Sequence, residues 1–189
     1  ALGRAIRKVL VIDGGNPCNK QTPHSHNFIT QDGETPAEIA RKAKEQVEKY
    51  DTVNFLQDEV IHVSGENMKF TVETKSEVKY TAEKIIFATG VHDTMPSIKG
   101  FTECWGISVI HCPYCHGYEY RKELTGILSN GPMAYEYAKL INNWTDQLVI
   151  FTNGKSTIDE VHTEELKSRK IDIVESEIDE IVHEEGKLE

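Results

Sequence analysis

His111-Cys112-Pro113-Tyr114-Cys115-His116-Gly117-Tyr118-Glu119 holds the residues best suited to chemistry. Two cysteines separated by two residues can close a small disulfide ring, and this spacing often lowers one thiol pKa towards neutrality. The thiolate, not the thiol, attacks a disulfide. Imidazoles at His111 and His116 can stabilise that thiolate or carry its proton. A redox dithiol is the reading these residue types favour. Three others compete. A zinc site needs a second ligand pair, and the sequence has no second Cys-x-x-Cys. A purely structural disulfide would close so small a loop that it removes little entropy from the unfolded chain. Two inert, reduced cysteines are the bland reading.

The elements that must position this stretch read as α/β. Lys8-Val9-Leu10-Val11-Ile12-Asp13-Gly14-Gly15 is a short apolar run ending in an acid and two glycines. A buried parallel strand reads this way, and an acid at its carboxyl end can bind a ribose hydroxyl. A Gly-rich phosphate loop is expected about twenty residues earlier, and the sequence starts too late to contain it. Residues 16–33 form a long polar loop, in which His24 and His26 read as solvated rather than as metal ligands. Thr35-Pro36-Ala37-Glu38 is a capping box, opening a helix expected to run to about Tyr50 with Ile39, Ala43 and Val47 on one face. Residues 53–82 alternate in short stretches with turns between them, which predicts a half-solvated antiparallel meander. Lys84–Gly90 predicts a buried strand ending in small residues.

Beyond the dithiol, Glu123–Leu128 predicts a strand and Pro132–Asn143 a helix, joined by Ser129-Asn130-Gly131. Strand, glycine turn and helix form the outline of a dinucleotide-binding unit. Ser129 stands where the first glycine belongs, Gly131 fits the second, and Ala134 fits the third. The next strand, Gln147–Phe151, ends without an acid for a ribose or an Arg for a 2′-phosphate, and Lys155 is the nearby cation. A helix over 158–169, a strand over 171–174 and the segment 177–183 continue the α/β pattern.

Composition narrows the function classes. With 189 residues there is room for one large domain or two small ones. The net charge of −10 argues against nucleic acid or an anionic membrane as partner. No apolar run approaches a membrane span. Four cysteines (Cys18, Cys104, Cys112 and Cys115) do not suggest a disulfide-stapled secreted scaffold, so a reducing cytoplasm is the default. Residues 1–7 read as the end of a helix, and residues 184–189 stop in a charged turn. Both ends are therefore expected to be cuts in a longer chain.

Taken together, Val11-Ile12-Asp13-Gly14-Gly15, Ala88-Thr89-Gly90, Trp105-Gly106 and Cys112-Pro113-Tyr114-Cys115 resemble the thioredoxin reductase family of FAD-dependent disulfide oxidoreductases. The likeness is greatest to its branch of bacterial reductases and dithiol oxidases with a Cys-Pro-Tyr-Cys site. The resemblance implies an incomplete Rossmann-like FAD-binding domain with an inserted Rossmann-like pyridine-nucleotide domain. On this chain they would be residues 1–104 and 105–189, the second carrying the dithiol. It implies Asp13 at the FAD ribose, Gly14, Gly15 and Asn27 along FAD towards the flavin, and Ala88, Thr89 and Gly90 lining the cofactor. It implies that Cys112 attacks the outside disulfide, that Cys115 faces the flavin, and that His111 or His116 handles the proton. Asn130, Gly131 and Ala134 would meet the pyridine nucleotide, with NADPH or another donor supplying the electrons. The implied partner is a thioredoxin-like protein or a small disulfide or dithiol, and the implied assembly a homodimer. Tyr114, Tyr118 and Tyr120 are candidates for an apolar docking face. A non-enzymatic zinc-binding or redox-sensing module, and a folded fragment without FAD, are the alternative readings.

Overall fold

Val9–Asp13 forms strand β1 of the computed structural model, which describes residues 1–188. Helix α1 (Pro36–Val47) follows the long loop, and strand β2 (Val53–Gln57) returns parallel to β1, with Val9 opposite Val53 and Asp13 opposite Gln57. The Thr35 hydroxyl accepts the Glu38 N–H at 3.2 Å, and Pro36 sits in the first turn, where its missing N–H costs nothing. Arg41 bonds Glu38 and holds its carboxyl down at about 2. The helix stops at Val47, short of Tyr50, and none of its residues is buried.

Strands β3 (Val60–Glu66), β4 (Lys69–Thr74) and β5 (Lys79–Ala82) form the expected antiparallel meander. The turn at Gly65 requires glycine: its φ is +98°, and a Cβ there would lie 2.1 Å from the Lys69 carbonyl oxygen. Three expectations fail in this region. β1 is not buried, because β2 is its only strand partner among the described residues, and Leu10 is exposed. Lys84–Gly90 forms no strand, and Ile86 and Phe87 are 76% and 70% exposed. An apolar run becomes a strand only where a neighbouring edge takes its N–H and C=O groups, and no described strand pairs with this one. Residues 1–7 are a run of turns rather than the end of a helix.

The dithiol region contributes two single-turn helices, α2 (Phe101–Cys104) and α3 (Pro113–His116). Strand β6 (Thr125–Leu128), helix α4 (Pro132–Ile141), strand β7 (Leu148–Phe151), helix α5 (Glu160–Ser168) and strand β8 (Asp172–Val174) then form a parallel three-stranded sheet in the order β6-β7-β8. Its core is Ile127, Leu148 and Ile150 from the strands, packed against Ala134, Tyr135, Ala138, Ile158, Leu166 and Ile171. A short hairpin of β9 (His183–Glu184) and β10 (Lys187–Leu188) ends the described residues.

These elements fall into two units: Ala1–Lys20 with Glu34–Thr94, and Gln21–Gly33 with Met95 onward. The second unit thus includes the 21–33 loop as well as residues 95–104. The fold is the mixed α/β, Rossmann-like class that the sequence predicts. Among the described residues, no helix is long and apolar enough to cross a membrane.

Candidate active site

Cys112 caps α3 in extended conformation (φ −126°, ψ 104°), and Pro113 fixes the first helical φ. The Cys115 and His116 N–H groups both donate to the Cys112 carbonyl, at 3.1 and 3.3 Å, and Gly117 N–H donates to Pro113 O at 2.7 Å. This single turn sets the two sulfurs side by side. Cys112 and Cys115 are joined as a disulfide with a Cα–Cα distance of 5.3 Å, within the ordinary range. Both are half-buried, so the pair is within reach of an outside thiol. Cys104 is buried and Cys18, in the other unit, is exposed; neither is bonded.

His111 is held by stacking. Its ring lies 5.4 Å from that of Trp105, which lies 5.7 Å from that of buried Phe101. The Trp105-Gly106 pair thereby finds its use: Gly106 turns the chain at φ +77°, and its N–H donates to Val109 O at 2.8 Å. His116 is half-buried. Burial pushes its pKa down, and the neighbouring His26 and His111 push the same way, against Glu119. A neutral imidazole at pH 7 is the form that can accept a thiol proton.

His26, read from sequence as solvated, has its Nε2 3.5 Å from Glu119 Oε1 and its Nδ1 3.5 Å from Asp32 Oδ2. Its loop is closed by its own bonds: Asn27 N–H donates to Asp32 Oδ1 at 2.8 Å, Gly33 N–H donates to Ser25 O at 2.8 Å, and His24 Nδ1 meets Gly33 O at 3.0 Å. The fold thus brings His26 and Glu119 to the dithiol turn. Only Glu119, inside the motif stretch, carried a sequence signal. Tyr114 and Tyr118 are largely exposed. The ring of Tyr114 stands edge-on to Trp144 at 5.5 Å, and Arg121 lies over the ring of Tyr118 at 3.9 Å. Tyr120 is tied back, its hydroxyl donating to Ile107 O at 2.5 Å. Among the described residues no group of three or more His, Cys, Asp or Glu is arranged to hold a metal.

The remaining candidate residues divide between the units. Asp13 is exposed at the carboxyl end of β1, its Oδ1 accepting the Gly15 N–H at 2.8 Å, while Gly15 turns at φ +70°. Such an acid at the end of a parallel strand is suited to a ribose, so the geometry is compatible with the FAD role implied for it. A Cβ at Gly14 would meet the Asp58 carbonyl oxygen at 4.0 Å, an ordinary contact, and Ala88, Thr89 and Gly90 lie exposed in irregular chain of the same unit. Asn27 lies in the other unit, in left-handed conformation (φ +63°).

Asn130, Gly131 and Ala134 form the β6–α4 turn. Gly131 adopts φ +64°, ψ −155°, a region suited to glycine, and Ala134 is fully buried. The Asn130 carboxamide is bonded on both sides. Its Oδ1 accepts from Gly131 N–H (2.8 Å), Thr157 N–H (2.8 Å) and Thr157 Oγ1 (3.2 Å), and its Nδ2 donates to Lys155 O at 3.0 Å.

A family model described as pyridine nucleotide-disulphide oxidoreductase matches residues 1–189. A probable thioredoxin reductase of Arthroderma benhamiae is 33% identical over 82% of this chain and 40% of its own length. Thioredoxin reductase tcpT of Claviceps purpurea is 31% identical over 84% of the chain and 52% of its own. The chain thus spans about half the length of these relatives. Among solved structures, a putative thioredoxin reductase TrxB from Bacillus anthracis superposes with a TM-score of 0.95 at 33% identity, covering 100% of this chain and 63% of that one. An oxidoreductase from Agrobacterium tumefaciens gives 0.90 at 37% identity, over 96% and 61%.

Proposed function

The chain belongs to the pyridine nucleotide-disulphide oxidoreductase family, and on that premise we propose that it carries the thiol–disulfide exchange centre of a thioredoxin-reductase-like flavoenzyme. Its relatives are flavin disulfide oxidoreductases of thioredoxin reductase type, FAD proteins with NADPH as the usual partner. The observation that carries the proposal is the Cys112–Cys115 disulfide on a half-buried helical turn, with His111 and His116 on either side.

Two electrons and two protons convert the Cys112–Cys115 disulfide to two thiols. Cys112, at the helix cap, then attacks an outside disulfide as a thiolate. One outside sulfur leaves and takes a proton, and a mixed disulfide forms. Cys115 attacks Cys112 in turn, re-forming the internal disulfide and releasing the second outside thiol. His116, held neutral by burial, accepts the thiol proton, and His111, which precedes the pair in sequence, is stacked on Trp105. Asp13, Gly14, Gly15, Ala88, Thr89 and Gly90 are the residues of the first unit that would hold FAD, which when bound would supply the two-electron transfer to the dithiol. The outside partner is a thioredoxin-like protein or a small disulfide or dithiol. Residues 1–104 and 105–189 act as the FAD and dithiol-bearing parts of a homodimer in a reducing cytoplasm.

Trapping tests the assignment. After reduction, Cys115→Ser is expected to accumulate a mixed disulfide at Cys112 with an oxidised thioredoxin-like protein or a small disulfide, seen by intact mass. Cys112→Ser is expected to give none. Equal trapping by both variants would reverse or abolish the assigned roles, and no trapping by either removes the exchange function.

A further inference from the structure

We infer that the β6–α4 turn of this chain does not seat the pyrophosphate of a pyridine dinucleotide, because the Asn130 carboxamide already occupies the anion position. The inference does not rest on the dithiol chemistry, which would stand if it failed. A dinucleotide needs free N–H groups at the start of the helix and an open crevice beyond the carboxyl ends of adjacent parallel strands. Asn130 obstructs both here.

Most of the donors are taken. Gly131 N–H is bonded to Asn130 Oδ1, Ala134 N–H to Gly131 O at 3.1 Å, and Pro132 has no N–H to give, which leaves Met133 N–H in the first turn. Asn130 Oδ1 receives three donors from two loops, the set a phosphate oxygen would collect there. On its other side the carboxamide reaches Lys155 O, so one side chain spans the crevice between the turn after β6 and the turn after β7.

The rim that reads the ribose is closed as well. The Thr152 hydroxyl donates to Gly154 O at 2.6 Å, and Asn153 Oδ1 accepts Ile178 N–H at 2.7 Å. Glu175 Oε1 accepts Ser156 N–H at 2.6 Å and puts a carboxylate beside Lys155, where a 2′-phosphate would add like charge. Ser129, at the first position of the turn, adds a Cβ where the outline calls for glycine. The turn keeps the shape of a nucleotide site, and its own side chains fill it.

The test is titration of the full chain with NADPH, and separately with NADH, by calorimetry. It is paired with hydrogen–deuterium exchange of the peptide spanning residues 128–137. No saturable heat up to about 1 mM nucleotide, and no added protection of that peptide, is the expected result. Saturable binding that leaves the peptide unprotected also supports the inference, since the nucleotide then sits elsewhere. Saturable binding that protects it overturns the inference. In Asn130→Gly combined with Pro132→Ala, two N–H groups are freed, and binding at this peptide is expected to tighten by about tenfold or more. A double variant that stays folded by circular dichroism and remains as unresponsive as the parent overturns the assignment to these residues.

Discussion

Gly117 is set by space rather than by torsion. Its φ of −64° suits any residue, but a Cβ there would lie 2.4 Å from Pro113 O and 3.0 Å from Trp144 Nε1. Gly117→Ala is therefore expected to destabilise the chain by about 1–3 kcal/mol through overpacking. A lowered Tm, together with faster alkylation of the reduced Cys112–Cys115 pair as the turn loosens, checks this. His116 gives a pH prediction. Burial lowers its pKa in the folded chain below the unfolded value of about 6.5. The unfolded chain thus binds the proton more readily, and folding loses stability as pH falls from that value through the folded one. Urea midpoints measured from pH 8 to pH 5 are expected to fall less steeply in His116→Gln than in the parent. With its base removed, exchange by the variant should slow by about 10²-fold or more at neutral pH. A variant that keeps the parent rate refutes the proton role.

At the scale of elements, the two ends of the chain differ in what stabilises them. α1 depends on its cap and surface pairs, since none of its residues is buried. Thr35→Ala is expected to cost about 1 kcal/mol and leave disulfide exchange unchanged. β7 depends on burial: Ile150 is fully inaccessible and lies opposite Ile127 on β6 and Ile173 on β8. Ile150→Ala is expected to cost about 2–5 kcal/mol, visible as a lower urea midpoint. The same measurement on both variants distinguishes a helix supported by its cap from a sheet supported by its core. Both elements are legible in the sequence because capping boxes and apolar strand–helix alternation are read among near neighbours.

At the scale of the molecule, the first unit leaves apolar chain in solvent. Ile86, Phe87 and Val91 are each at least 70% exposed. Phe87→Ser is expected to change stability by no more than about 0.5 kcal/mol, because an exposed side chain has little burial to lose. If Phe87 is inserted in a core instead, the same substitution costs several-fold more, and chemical denaturation tells the two apart. Sedimentation velocity on the same pair reads whether this run promotes self-association.

The amino-acid sequence by itself determined the dithiol, the capping box of α1, the meander and the alternation of strand and helix from β6 to β8. Each is written in residues a few positions apart, where backbone torsion, period and spacing act directly. Tertiary structure decided what depends on distant partners. Lys84–Gly90 has the composition of a buried strand, but pairing requires an edge that no described strand supplies. His26 reads as loop until the fold sets it against Glu119, and Asn130 reads as part of a nucleotide turn until Thr157, 27 residues on, donates to its carboxamide. Side-chain type is local information; the group that satisfies a side chain is fixed only when the chain has folded.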